Sequence, residues 1–254
     1  MRIGISRPSG TPEDAMALFS AARAAGFDGV QVKPQQYDLW DRDPQRCAEA
    51  LGELASMLRA GLVAYPGPNP ERWPEDTAPM VDLAGGVGAE EICLCSGVSP
   101  SDLQPTSVSD IAGILNDIGE AALAKAAHLS LHNHADSLFE TADDLDALVE
   151  HLDPRLCGLT FDTAHAAKGG MTDLAEHIAR FAEYIRNVHL KDMSAEGRFC
   201  PLGEGVLDLE DALESLDRIG YEGWLIVDEE SEGLSHEQAC GGSADFLKRQ
   251  GAMP

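Results

Sequence analysis

"LTFDTAH", Leu159–His165, and "RNVHLKD", Arg186–Asp192, each alternate apolar and polar residues and end on groups that bind metals or move protons. A period of two marks a β-strand with unlike faces. The same pattern recurs along the chain, at Ile3–Ser6, Gly29–Val32, Leu62–Tyr65, Glu91–Cys95, Leu129–His134, Gly158–Asp162, Asn187–Lys191 and Trp224–Asp228. Helical spacing fills the gaps. "TPEDAMALFSAARAAG" opens with Thr11 as N-cap, Pro12 in the first turn and Asp14 behind it, and closes on Gly26. "TADDLDALVEHL" repeats that logic with Thr141 and Asp144, "DLEDALESLDRIG" closes on Gly220, and a last helix is expected over residues 236–250.

Strands that alternate with helices pair in parallel, because only a crossover brings the chain back to the same end of a sheet. The eight units predict a single (β/α)8 TIM barrel in one domain, residues 1–254. A doubly wound open sheet is the alternative, but "SRPSGTPED" is a weak imitation of its glycine-rich first turn. The proline-rich "YPGPNPERWPED", Tyr65–Asp76, reads as a long loop at the rim, with Trp73 placed to close over a ligand or to meet a neighbouring subunit. A homo-oligomer is left open.

The 254 residues are enough for a sizeable core and contain no run of about eighteen apolar residues, so no membrane span is expected. The N-terminus lacks the apolar core of a signal peptide, and six scattered cysteines give no disulfide framework; a cytoplasmic protein is expected. With 18 Lys+Arg against 44 Asp+Glu, the field repels phosphate backbones and anionic membranes, so nucleic acid is a poor partner.

Parity sorts the strand residues. Leu129, Leu131, Leu159, Phe161, Val188, Leu190, Leu225 and Val227 should face the helices. Ser130, His132 and His134, Thr160 and Asp162, Asn187, His189 and Lys191, and Trp224, Ile226 and Asp228 should then face the barrel axis. The titratable members sit at C-terminal strand ends, where barrel enzymes build their sites. Burying such carboxylates and imidazoles unpaired is costly, and a divalent cation removes the cost. Lys33, Lys168 and the carboxylates of "ADDLD" are expected in solvent, Glu229 to point away, and the "CLC" of strand four to serve packing.

At these residues the chain resembles the sugar isomerase/epimerase group of xylose-isomerase-like barrels, which also contains inosose dehydratases and DNA-repair endonucleases. The likeness is carried by "LHNH" (131–134), "FDTAH" (161–165), "NVHLKD" with "PLGEGVLDL" (187–192 and 201–209) and "GYEGWLIVDEES" (220–231), with a weaker match at "GFDGVQVKP" (26–34). The resemblance implies one divalent metal held by His132, Asp162, His189 and Asp228, Mn²⁺ ahead of Co²⁺, Zn²⁺ or Fe²⁺. It also implies that His165 binds substrate. Lys191, two past the metal histidine on the same face, is placed to contact a substrate oxygen.

In the isomerases the strand-five and strand-eight positions are both glutamates; here they are His132 and Asp228, with Glu230 on the same face able to share the task or to bind substrate. The expected activity is isomerisation or epimerisation of a small sugar or polyol ketone through an enediolate, with His134 or His165 as base and Lys191 or a histidine as proton donor. A dehydratase (lyase) of the inosose dehydratase type shares the first step and is the alternative. A sugar-binding barrel without catalysis and an endonuclease stand behind both.

Overall fold

The computed structural model describes residues 1–98 and 107–254. Eight parallel strands form one sheet: β1 (Arg2–Ser6), β2 (Gly29–Val30), β3 (Leu62–Ala64), β4 (Glu91–Leu94), β5 (His128–His132), β6 (Cys157–Asp162), β7 (Ile185–Leu190) and, after a small hairpin of β8 (Asp192–Met193) and β9 (Phe199–Cys200), β10 (Trp224–Asp228). Their order is β2-β1-β10-β7-β6-β5-β4-β3, and a parallel bridge from Val32 to Leu62 joins the two edge strands. The sheet therefore wraps into the expected barrel.

Helices α1 (Pro12–Ala25), α2 (Pro34–Tyr37), α3 (Pro44–Leu51), α4 (Trp73–Val87), α5 (Val108–Leu123), α6 (Ala142–Val149), α7 (Thr163–Lys168), α8 (Leu174–Arg180), α9 (Leu209–Arg218) and α10 (His236–Arg249) accompany the strands. Their ends follow local chemistry. The Thr11 side chain accepts from the Asp14 amide, and Gly26 closes α1 in the left-handed region at φ 96°. Thr141 and Asp144 cap α6 reciprocally. Among the described residues, no helix is long and apolar enough to cross a membrane.

The parity assignment holds. Leu129, Leu131, Leu159, Phe161, Val188, Leu190, Leu225 and Val227 belong to the main apolar core shared with the helices. Trp224 and Ile226 form a separate cluster with Ala60, and Cys93 and Cys95 another with Val63. These two patches and a polar ladder fill the barrel. In the ladder Ser130 Oγ bonds Glu91 and lies 2.6 Å from Thr160 Oγ1, which accepts from Asn187 Nδ2 at 3.1 Å.

Three expectations are corrected. Strand five ends at His132, not His134, because the Asn133 side chain takes over the ladder: its Oδ1 accepts from the Asp162 amide at 2.7 Å and its Nδ2 donates to the Asp162 carbonyl at 3.2 Å. Trp73 is not at the rim. It is fully buried in the main core, and its indole N–H donates to the Gly67 carbonyl at 2.9 Å, leaving Tyr65 as the exposed aromatic of that loop. Lys33 is buried, not in solvent, because Gly29, Gln31 and Lys33 share the inward face of their segment.

Burial pushes Glu91 up to about 8, with Ser130 and two arginines only partly offsetting it. Its contribution to stability is full below its ordinary value of 4.5 and is lost as the pH rises through about 8. Urea denaturation across that range should show the parent losing stability with rising pH relative to Glu91→Gln, which has no such proton to give up. Parallel curves for the two proteins would contradict this.

Candidate functional site

Asp162 ends β6 and caps α7: its Oδ1 accepts from the His165 amide at 2.8 Å. That bond turns Oδ2 toward two imidazoles, 3.5 Å from His132 Nε2 and 3.8 Å from His189 Nδ1. His132 Nε2 and His189 Nδ1 are themselves 3.1 Å apart. All three residues are buried. Behind them, His189 Nε2 bonds Gln31 Oε1 at 2.7 Å. A carbonyl oxygen only accepts, so Nε2 carries the proton and Nδ1 presents its lone pair to the cluster.

A divalent metal fits these residues. One ligand atom from each of His132, Asp162 and His189 lies within 4.8 Å of the other two. Asp162 Oδ2 is buried with no hydrogen-bond partner, a costly arrangement for an ionised oxygen that a cation removes. Burial would raise the Asp162 pKa, but His165, His132 and Lys191 outweigh it and hold the group ionised. Burial and the His132 charge push His189 down to about 3, so its imidazole is neutral, the form that ligates.

His134 and His165 lie together beside this cluster, ring centres 4.0 Å apart and each 5.4 Å from His132. Their bonds give them opposite roles. His134 Nδ1 meets the Ala135 carbonyl at 2.8 Å and must donate to it, so His134 Nε2 keeps a free lone pair. His165 Nδ1 accepts from the Ala135 amide at 3.1 Å, so its Nε2 carries the proton and can only donate. Burial pushes both down, His165 to about 2, and both are neutral.

On the other side stand two ammonium groups. Lys191 Nζ lies 2.6 Å from Asp228 Oδ2 and 2.8 Å from Glu230 Oε2. Lys33 Nζ lies 3.0 Å from Asp228 Oδ1 and also pairs with Glu230. Burial opposes both charges, yet the carboxylates outweigh it and raise both lysines above the ordinary value. Asp228 is thus engaged with the lysines and stands outside the His132–Asp162–His189 set. Glu229 is tied to Arg7.

The four imidazoles, both lysines, Asp228 and Glu230 line one cavity of about 30 Å³, with Tyr65, Val63 and Cys95 on its wall. A larger cavity, about 560 Å³, lies at the opposite end of the barrel among Arg2, Glu91, Arg186 and Tyr221 and holds none of them. Phe199, on β9, covers one edge of the site, its ring 5.3 Å from His165 and 4.1 Å from Lys191 Nζ. Lys168 Nζ stands over the same ring, 4.0 Å from its centre.

Four positions escaped the sequence reading. Gln31 and Lys33 carried a signal, since the parity applied to later strands also turns them inward. Tyr65, two past Val63 at the end of the expected third strand, carried the same signal, whereas Phe199 carried none, because a two-residue hairpin strand has no period to read. The hairpin depends on Asp192. Its carboxylate, 1% exposed, accepts from the amides of Met193 at 2.8 Å, Gly203 at 2.9 Å and Gly205 at 3.0 Å. A Cβ on Gly205 would stand 2.1 Å from Asp192 Oδ1, so the oxygen occupies the space a side chain would need. This explains why "KD" and "PLGEG" occur together.

The sequence matches the xylose isomerase-like TIM barrel family over residues 19–250. The chain belongs to that family. Among proteins of known activity it is similar to an inosose dehydratase of Geobacillus thermodenitrificans, 33% identical over 139 residues, a match that covers 46% of this chain and 45% of the relative. The chain thus matches about half the length of such relatives. Its fold is shared with a D-allulose 3-epimerase of Methylomonas sp., TM-score 0.79 at 15% identity over 98% of each chain. It is shared too with a probable 3-DHS dehydratase of Bacillus anthracis, TM-score 0.71 at 13% identity over 98% of this chain and 99% of the other.

Asp192→Ala removes the acceptor shared by these amides and should lower the unfolding free energy by roughly 2 to 3 kcal/mol in urea, at the upper end of the range for one charged hydrogen bond. An unchanged midpoint would show that the loop holds itself.

Proposed function

We propose that this chain is a divalent-metal-dependent lyase that removes water from a polyol ketone, of the inosose class, after abstracting the proton next to the carbonyl. The carrying observation is the division of labour around the cluster: one imidazole with a free lone pair, one with a fixed N–H, and two ammonium groups held by carboxylates. His132, Asp162 and His189 would hold the metal, and two imidazoles with one carboxylate suit Mn²⁺, Fe²⁺, Co²⁺ or Zn²⁺. When bound, the ion supplies Lewis-acid polarisation of the substrate's oxygen atoms.

The side chains supply the rest. His134 Nε2 takes the proton next to the carbonyl, as a neutral imidazole is suited to do. His165 Nε2–H donates to a substrate oxygen and orients the ring. Lys191 is placed to stabilise negative charge that develops on oxygen. The protonated His134 then returns its proton to the β-hydroxyl, the C–O bond breaks, a C=C bond forms and water leaves.

Epimerisation inverts a carbon and needs a base on each face of it. Across from His134 the described residues place two ammonium groups paired with the carboxylates of Asp228 and Glu230, and those ion pairs keep the carboxylates from serving as a free second base. The one-base arrangement therefore favours reactions that use a single face. Aldose–ketose isomerisation is also a one-face reaction and is the second reading. The likeness to inosose dehydratases favours dehydration over it.

The two readings separate by product. With Mn²⁺ added, NMR of inososes and ketoses in D₂O is expected to show an unsaturated or diketone product one water lighter, from an inosose. An isomer of unchanged formula carrying deuterium would support isomerisation instead. His134→Gln should lower kcat by about 10²- to 10⁴-fold with metal content unchanged, and a variant that retains parent activity would remove His134 as the base.

A further inference from the structure

Asp228 stands where the family resemblance puts a fourth metal ligand, but its surroundings give it another task. We infer that Asp228 anchors a two-lysine subsite formed by Lys33 and Lys191, and that His132, Asp162 and His189 alone hold the metal. The inference rests on the metal-dependent reading above and deepens it.

Both carboxylate oxygens of Asp228 face ammonium groups: Oδ2 is 2.6 Å from Lys191 Nζ, and Oδ1 is 3.0 Å from Lys33 Nζ, off the line of a hydrogen bond. Glu230 pairs with the same two lysines from the solvent side, its side chain one-third exposed. Two positive and two negative groups thus balance in a closed square. Lys33 and Lys191 are only 7% and 2% exposed. Turning Asp228 to a metal would leave both with Glu230 alone, and an uncompensated buried charge is strongly destabilising.

Lys33 is built into its place. Its backbone is extended at the N-cap of α2, and its amide donates to Gln36 Oε1 at 2.7 Å. Gln36, wholly buried, is fixed in turn by its Nε2 donating to the Arg7 carbonyl at 3.1 Å and Ser9 Oγ at 2.9 Å. An aspartate is also one methylene shorter than the glutamate of the isomerases, which suits a residue that need reach only the lysines.

The chemical consequence concerns charge. A divalent ion held by two neutral imidazoles and one carboxylate keeps one net positive charge, and fewer protein ligands leave more positions for substrate oxygens. The two ammonium groups beside it favour an oxygen that is negative, or becomes so. The subsite therefore takes the enolate oxygen of a polyol ketone and does not add a ligand to the metal.

Mn²⁺ titration of chelator-treated protein by calorimetry tests this with the metal alone. Asp228→Asn is expected to bind one Mn²⁺ with Kd changed by less than about tenfold, whereas Asp162→Asn should weaken binding by more than about a hundredfold, beyond what loss of a supporting contact costs. Weakening of about tenfold or more in Asp228→Asn would overturn the inference. If that variant does not fold, Lys33→Met decides. Freeing Asp228 from one partner should leave Kd within about tenfold, and tighter binding beyond that would make Asp228 a ligand. A parent that binds no Mn²⁺, Co²⁺, Zn²⁺ or Fe²⁺ removes the metal reading itself, an outcome distinct from a parent that binds and an Asp228→Asn that does not.

Discussion

The site depends on one buried oxygen. Asp162 Oδ2 is ionised, sealed from water and without a hydrogen bond, at the point where β5, β6 and β7 end. Its partner oxygen cannot release it, because Oδ1 is committed to the first turn of α7. The carboxylate is therefore aimed by the backbone, and the two imidazoles that meet it are aimed by theirs. A group so placed is expensive unless a cation completes it. The surroundings fit that completion, from the Gln31 bond that fixes the His189 tautomer to the burial that keeps the His189 imidazole neutral.

Around this centre the charges are separated by element. The imidazoles of His134 and His165 come from the loop after β5 and from α7, and both are oriented by the backbone of one residue, Ala135. The ammonium groups come from the segments after β2 and β7, and both are held by Asp228 and Glu230 at the end of β10. The imidazole and ammonium groups thus line one cavity with Tyr65 on its wall, and Phe199 lies against His165 and Lys191 at its edge. Environments that push neighbouring groups toward opposite protonation states are how a fold assigns acid and base roles at one pH.

How much of this could be read from the residues follows from where periodicity exists. The parity of β5, β6, β7 and β10 separated core from axis correctly, because a strand with one face on helices cannot shift by a residue without burying the wrong set. The same rule, left unapplied after β2, would have turned Gln31 and Lys33 inward. His134 was placed on the strand by continuing its alternation, but the Asn133 side chain ends the ladder two residues early and moves His134 into the loop. Trp73 was misplaced because a proline-rich loop gives no face to assign, and its indole instead found an apolar core and one carbonyl. Phe199 required the hairpin that Asp192 organises, and that depends on contacts between residues eleven or more apart.

The proposed metal centre rests on His132, Asp162 and His189. Elemental analysis of the purified protein, beside Asp162→Ala and His189→Ala, addresses it directly. The expected result is about one Mn, Fe, Co or Zn per chain in the parent and none in either variant. No metal in the parent after incubation with each ion would contradict it, as would a stoichiometry that both variants retain.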